Sequence, residues 1–172
     1  MANKAVFCIA QSEEQAVRIV DQLKAAGFSN NDVSVLFPDR TGTRDFAHEQ
    51  HTKAPEGTAT GVAAGGLAGG VLGWLVGIGS LAIPGVGPFI AAGPILAALG
   101  GVAAGGTIGG VTGALVGLGI PEYEAKQYEG KLRNGNILIS AHTEDSEERK
   151  AALEIFERAQ ANDISYTAEA SV

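Results

Sequence analysis

The spacing of hydrophobic residues divides the first 38 positions into two strands and a helix. Residues Lys4–Ala10 alternate and are rich in Val, Phe and Ile, which predicts a strand. Ser12 suits a helix N-cap, and hydrophobic positions then recur every three or four residues as far as Gly27, which suits a helix end. A second strand ends at Pro38. The pattern predicts a βαβ unit, whose helix buries Ala16, Ile19, Val20 and Leu23.

A second βαβ pattern occupies the C-terminal part of the chain. Pro121 opens a short helix that ends near Gly135, with four residues roughly on one face: Tyr123, Ala125, Tyr128 and Leu132. A strand, a helix and a strand follow over residues 136–143, 144–161 and 164–170. Two βαβ halves of this size usually fold as an antiparallel sheet with two helices on one face. We therefore expect an α+β fold of the ferredoxin-like type.

A polar connector and a long apolar insertion separate the two halves. The connector, Asp39–Glu56, is mixed in charge and shows no period. The insertion, Gly57–Pro121, runs for 65 residues without Asp, Glu, Lys, Arg or His and holds 21 of the 25 glycines. The predicted layout is thus a first half of the α+β domain at 1–38, a connector at 39–56, an insertion at 57–121 and a second half at 122–172.

The insertion is an internal repeat with a regular glycine spacing. Residues Gly61–Gly79 realign 40 positions later with Gly101–Gly119 and are identical at 14 of 19 positions. Glycine recurs at every fourth residue of each copy, and on a helix this spacing forms an inclined groove that lets a second backbone approach closely. We predict a glycine zipper whose helix-packing residues are Gly57, Gly61, Gly65, Gly69, Gly73, Gly77, Gly101, Gly105, Gly109, Gly113 and Gly117.

The insertion is predicted to form a helical hairpin that crosses a membrane. Its two candidate helices, Thr58–Ile83 and Ile95–Ile120, have 26 residues each. Such a helix measures about 39 Å, enough for a hydrocarbon core of ~30 Å. Three prolines between them break the helix. Because the sheet is completed across the insertion, both of its ends lie on one side of the membrane, which requires an even number of spans.

Charge and cysteine content narrow the class of protein further. The formal net charge is −7, and both flanking segments are acidic, which argues against a nucleic-acid partner. The single cysteine, Cys8, excludes an internal disulfide and lies in a strand-like context that favours a core position. The apolar stretch at the N-terminus is too short for a signal peptide, so we expect no export signal.

Candidate chemistry is sparse, and we expect no catalytic, cofactor-binding or metal-binding residues. His48 and His51 could face one way on a helical turn, but a solvated polar loop is the favoured interpretation. Trp74, the sole tryptophan, lies within the first repeat and is interpreted as a packing residue. Thr107 and Thr112 replace leucines of the first repeat, and their hydroxyls can bond a backbone carbonyl or a neighbouring side chain.

Several segments carry a resemblance to a known family. The opening KAVFCIAQSEEQAVRIVDQLKAAGFSNNDVSVLFPD, the glycine-rich hairpin and the later GIPEYEAKQYEGKLRNGNILISAHTED resemble the bacterial general-stress-protein family with a heat-induced stress-protein domain. The likeness covers most of the chain, and none of its motifs is catalytic. It implies a ferredoxin-like or related α+β domain interrupted by a glycine-zipper hairpin, in a protein tied to the stress response, and it transfers no active-site residue.

These observations lead to one principal hypothesis of function and two alternatives. The principal one is a non-enzymatic, stress-related membrane protein whose glycine-zipper hairpins drive homo-oligomer packing. It places the hairpins in the inner membrane, in contact with lipid, and the α+β domains in the cytoplasm. The first alternative is a soluble cytoplasmic assembly that buries the hairpins between subunits. The second is a ferredoxin-like module that senses a small ligand.

Overall fold

The computed structural model describes residues 4–38, 74–75, 78–83, 87–96, 99 and 110–167. Six strands and four helices form the framework of this part of the chain. In chain order they are β1 (Lys4–Ala10), α1 (Glu13–Ala25), β2 (Val33–Pro38), β3 (Ile78–Ile83), β4 (Gly87–Ala92), α2 (Gly110–Gly117), α3 (Glu122–Arg133), β5 (Ile137–Thr143), α4 (Ser146–Arg158) and β6 (Asn162–Tyr166).

All six strands belong to one antiparallel sheet with the order β3-β4-β2-β5-β1-β6. β1 lies between β5 and β6, and β5 joins β1 to β2. Helix α1 connects β1 to β2, and α4 connects β5 to β6. The predicted α+β class is therefore confirmed. The sheet also contains β3 and β4, two strands that the sequence pattern did not predict.

One face of the sheet packs against α1 and α4. The hydrophobic spacing of α1 buries Ile19, Val20 and Leu23, and α4 buries Ile155 and Phe156 against the same cluster. The predicted caps are also present, because the Ser12 hydroxyl accepts a hydrogen bond from the Gln15 N–H, and Gly27 ends the helix at φ 98°. Cys8 is fully buried in this cluster, so its prediction as a core residue is confirmed.

The opposite face of the sheet is covered by α2 and α3. Strand residues such as Phe7, Leu36 and Leu138 form one hydrophobic cluster with buried residues of the two helices. On α3 the predicted apolar face is correct at Ala125, Tyr128 and Leu132, but Tyr123 is 73% exposed. The sheet thus has helices on both faces, and one helix of the second layer, α2, comes from the apolar insertion.

The prediction of a helix through Ile83 is wrong, because Ile78–Ile83 is a strand. The segment predicted as the broken tip of a helical hairpin also contains a strand, Gly87–Ala92. Helix propensity is low here, since each interior glycine costs about 1 kcal/mol relative to alanine. The edge of β2 offers a competing arrangement, in which its backbone pairs with β4, for example Leu36 with Ala91. Pairing with a distant strand overrides the local pattern.

The second predicted helix, Ile95–Ile120, is not continuous. Gly110 has a φ of 86°, a left-handed conformation that the interior of an α-helix does not contain, so α2 begins at this residue and ends at Gly117. Residues 94–96 are helical as well. Among the described residues, no helix is long and apolar enough to cross a membrane.

Candidate functional site

The predicted helix-packing glycines fall largely outside the described residues. Two of them, Gly113 and Gly117, lie in α2. Gly117 is exposed, and a Cβ atom built there would meet nothing within 4 Å. At this position the glycine row therefore faces away from the protein's own sheet. The other nine lie outside the described residues, and their role stays a prediction: Gly57, Gly61, Gly65, Gly69, Gly73, Gly77, Gly101, Gly105 and Gly109.

Helix α2 has one face packed on the sheet and one face in solvent. Val111, Ala114 and Leu115 are at most 1% exposed and belong to the cluster beneath α2 and α3. Val116, the residue after Leu115, is 36% exposed. This segment of the second repeat is consequently anchored to the α+β domain through its apolar face, while its opposite face remains accessible.

A carboxylate from α3 caps the N-terminus of α2. Oε2 of Glu129 accepts hydrogen bonds from the Thr112 backbone N–H, at 3.1 Å, and from the Thr112 hydroxyl. Its other oxygen, Oε1, lies 2.6 Å from the Arg133 guanidinium. Burial raises the pKa of Glu129, but the hydrogen bonds from Thr112 and Arg133 outweigh it, so the pKa lies below its usual value. The hydroxyl that the sequence places at Thr112 does bond a neighbour.

We expect Glu129→Gln to destabilise the fold by about 1–2 kcal/mol, because an anionic cap at a helix N-terminus is lost. A carboxyl with a lowered pKa stabilises the folded state above its unfolded pKa, near 4.5, and this stability disappears as the pH falls through the folded pKa. The difference between wild type and variant should therefore shrink below pH 4.5. Urea unfolding at pH 7 and pH 3.5 measures it.

Glu154→Gln is the matched control for the Glu129 prediction. Glu154 also pairs with an arginine four residues later, Arg158, at 3.3 Å, but it is exposed and caps no helix. Exposed pairs of this kind contribute about 0.3–0.5 kcal/mol. Equal losses for the two variants would show that the cap on α2 adds nothing beyond an ordinary surface ion pair.

Tyr128 fastens α3 to the edge strand β6. Its hydroxyl donates to the Asp163 carbonyl at 2.6 Å and bonds the Ser165 hydroxyl at 2.5 Å. Its ring centroid lies 6.4 Å from that of Phe7 in the sheet. Burial raises the pKa of Tyr128 well above its ordinary value, so this side chain acts as a neutral hydrogen-bond donor.

A close backbone contact joins the insertion to β2. Gly93, directly after β4, has a φ of 86°, and a Cβ atom built there would lie 2.2 Å from the carbonyl oxygen of Val33. Two residues later the Ile95 N–H donates to the buried Ser34 hydroxyl at 3.1 Å. Only glycine fits this crossing, which carries the chain from β4 onto the second face of the sheet.

Polar groups beneath the second helical layer include a histidine. Ser34 and Ser140 are opposite each other on β2 and β5 and are at most 2% exposed. Nδ1 of His142 is buried and has no hydrogen-bond partner among the described residues. Burial lowers the pKa of His142, and the Asp32 carboxylate opposes this shift. No group of three potential metal ligands occurs in the described part of the chain, and His48 and His51 lie outside it.

Trp74 packs against the cluster between the sheet and helices α1 and α4. It is half-buried, the next residue Leu75 is 6% exposed, and the Lys24 ammonium lies 5.6 Å from the centre of the Trp74 ring. The packing interpretation of Trp74 is confirmed. The first repeat thus contacts one side of the sheet, while α2 of the second repeat contacts the other.

Comparisons with known proteins identify no relative of this chain. The chain matches no protein-family model, and neither the curated proteins nor the solved structures contain a significant match. The arguments for function therefore rest on the sequence repeat and on the geometry of the insertion.

Proposed function

We propose that this protein is a non-enzymatic, stress-related, self-assembling protein in which glycine-zipper segments drive homo-oligomer packing. The observation that carries the proposal is the exposed face of α2. Gly117 opens to solvent beside Val116, and a neighbouring helix can approach there without meeting a side chain of the described residues. Both copies of the repeat carry this glycine spacing, and they are identical at 14 of 19 positions. A second molecule therefore offers a glycine row of the same spacing.

We further infer that the core of the domain is ferredoxin-like. The strands of the two βαβ halves have the order β2-β5-β1-β6, with α1 and α4 on one face. Numbered within the core alone, this is the order 2-3-1-4 of two interlocked βαβ units. The insertion then extends the sheet beyond β2, and its helix α2 covers part of the second face beside α3. The suspected link to the stress response rests on the family resemblance alone.

The sequence allows two environments for the assembly, in which the insertion is either buried between subunits or in contact with a membrane. The packing of the second repeat favours burial between subunits. Leu99 and Val111 belong to the same hydrophobic cluster. The segment between them that lies outside the described residues, 100–109, is ten residues long, and a helix of ten residues measures about 15 Å. That is half of a ~30 Å hydrocarbon core.

A membrane-associated assembly is the second candidate. It is favoured by the charge-free stretch that precedes Trp74, residues 57–73, which offers an apolar segment to lipid. Because Trp74 packs on the same domain as β1 and β2, this stretch would enter and leave the membrane on one side. Ligand sensing is the weaker alternative for this fold. The sheet face that a ferredoxin-like module leaves open is filled here by buried side chains of α2 and α3, such as Leu115 and Tyr128.

Sedimentation velocity of the full chain without detergent, over a range of concentrations, tests the proposal. We expect a defined assembly larger than one 17.5 kDa chain. The double variant Gly69→Leu/Gly109→Leu should reduce its mass, because leucine fills the zipper groove. Gly117→Leu, at the described end of the row, should weaken assembly without unfolding the domain, since a Cβ atom there meets none of the described residues within 4 Å.

Gly130→Leu is the matched control, because Gly130 is also a helical residue with open space around it in the described part of the chain, but it lies in α3, outside the repeat. Trp74 fluorescence identifies variants that fail to fold. A wild-type protein that is monomeric at every concentration, or zipper variants that assemble like wild type, would contradict the proposal. Carbonate washing of cell membranes separates the two environments, since retention in the pellet supports the membrane-associated form.

A further inference from the structure

The two edges of the sheet differ in how well they are protected against pairing with another strand. β3 is the first strand in the sheet order and β6 is the last. An edge strand presents a row of backbone N–H and C=O groups on its outer side, which pair readily with a further strand. Natural proteins blunt such edges with short strands, charges, prolines or irregular backbone.

The β6 edge carries several of them. The strand has five residues, and Asp163 within it has a positive φ of 48°. Its pairing with β1 shifts register between Phe7 and Ile9. The Asp163 carboxylate also lies 3.7 Å from the Lys131 ammonium, so charge is held at this edge. The β6 edge therefore does not present a regular row of backbone N–H and C=O groups to a second molecule.

The β3 edge carries none of these devices. Its sequence, IGSLAI, has no charged residue and no proline. It pairs with β4 without a register shift along its whole length, from Ile78 opposite Ala92 to Ile83 opposite Gly87. In the described part of the chain, no strand lies beyond β3. A regular, neutral, six-residue strand at a sheet edge is a surface suited to strand addition.

We propose that β3 pairs antiparallel with β3 of a second copy, which joins two six-stranded sheets across a two-fold axis. The partner that best suits this edge is a second copy of the protein. Two-fold symmetry places identical strands side by side, so a charged residue in such a strand would lie close to the same charge on the partner, which is destabilising. The chain carries a net charge of −7, yet β3 has no charged residue, so two copies can pair through β3 without placing like charges next to each other. The pairing rests on the proposed self-assembly but uses a surface separate from the glycine zipper.

The experiment places a lysine on each edge in turn. Ser80→Lys puts a charge in the middle of β3, and Tyr166→Lys puts the same charge on β6, where Tyr166 is 54% exposed. In the Gly69→Leu/Gly109→Leu background we expect a dimer by sedimentation velocity. Adding Ser80→Lys should halve its mass to that of one 17.5 kDa chain, whereas Tyr166→Lys should leave the dimer intact.

Hydrogen exchange of the wild type supplies a readout that needs no variant. Amides of β3 should exchange more slowly at concentrations where the dimer forms, and amides of β6 should not change. Slow exchange, in monomeric protein, of the β3 amides that point away from β4 would mean that the edge is covered within one chain and would overturn the proposal, as would a Ser80→Lys protein that folds and still dimerises. If the zipper variants assemble like wild type while Ser80→Lys alone reduces the mass, the result contradicts glycine-zipper packing and supports pairing through β3.

Discussion

Gly93→Ala should destabilise the protein by about 2–5 kcal/mol, the sum of a left-handed backbone penalty and of overpacking. The alanine Cβ would lie 2.2 Å from the Val33 carbonyl oxygen and 2.9 Å from the Ser34 Cα, so rigid backbone would have to move. The same crossing leads to the Ile95 N–H, which donates to the Ser34 hydroxyl. The midpoint of urea unfolding, followed by circular dichroism, measures the loss.

Two other glycines separate the contributions to the Gly93 effect. Gly27 also has a positive φ, 98°, but open space around it, so Gly27→Ala should cost only the backbone term of about 1–2 kcal/mol. Gly117 is helical with open space, so Gly117→Ala should stabilise by up to about 1 kcal/mol. If Gly93→Ala costs no more than Gly27→Ala, the close crossing over β2 is not present in solution.

Leu115→Ala should cost about 2–5 kcal/mol, as expected for a large side chain removed from a close-packed core. Leu115 is fully buried in the cluster that α2 and α3 form with the sheet. The prediction tests whether this part of the second repeat packs on the α+β domain. Denaturant unfolding without detergent measures it, because the lost packing is then a property of the isolated chain.

The neighbouring residue gives a control in the same helix. Val116 is 36% exposed, so Val116→Ala should change the free energy of unfolding by no more than about 0.5 kcal/mol. Small effects at both positions would show that α2 does not dock on the sheet. A large effect at Val116 alone would mean that the opposite face of the helix is the buried one.

Local patterns predicted the flanking halves of the domain well. β1, α1 and β2 follow the alternation and the helical spacing of the first 38 residues, and Ser12 and Gly27 mark the ends of α1. The C-terminal strand is displaced, since the pattern placed it at 164–170 and β6 is Asn162–Tyr166. Helix α1 is amphipathic, so its polar positions define which face is buried, whereas β1 and β2 are largely buried on both faces and are marked by their Val, Ile and Phe content.

The insertion could not be predicted in the same way. Its charge-free sequence contains few polar positions, so helical and extended periods are hard to distinguish. β4 exists because β2 lies beside it, and this pairing joins residues as distant as Leu36 and Ala91. The Glu129 cap on Thr112 is likewise a contact between elements. Only the polar substitution at Thr112 within an apolar repeat hinted at it.

The position of β1 between β5 and β6 has a consequence for the order in which the protein folds during synthesis. β1 pairs only with β5 and β6 in the described sheet, and Lys4 lies opposite Thr143, 139 positions later. At about 5–20 residues per second, a ribosome needs roughly 7–30 s to make the intervening chain. Throughout that time β1 has neither of its two partner strands of the described sheet, whereas β2 can already pair with β4. Late closure of this kind lengthens the window for aggregation and slows folding.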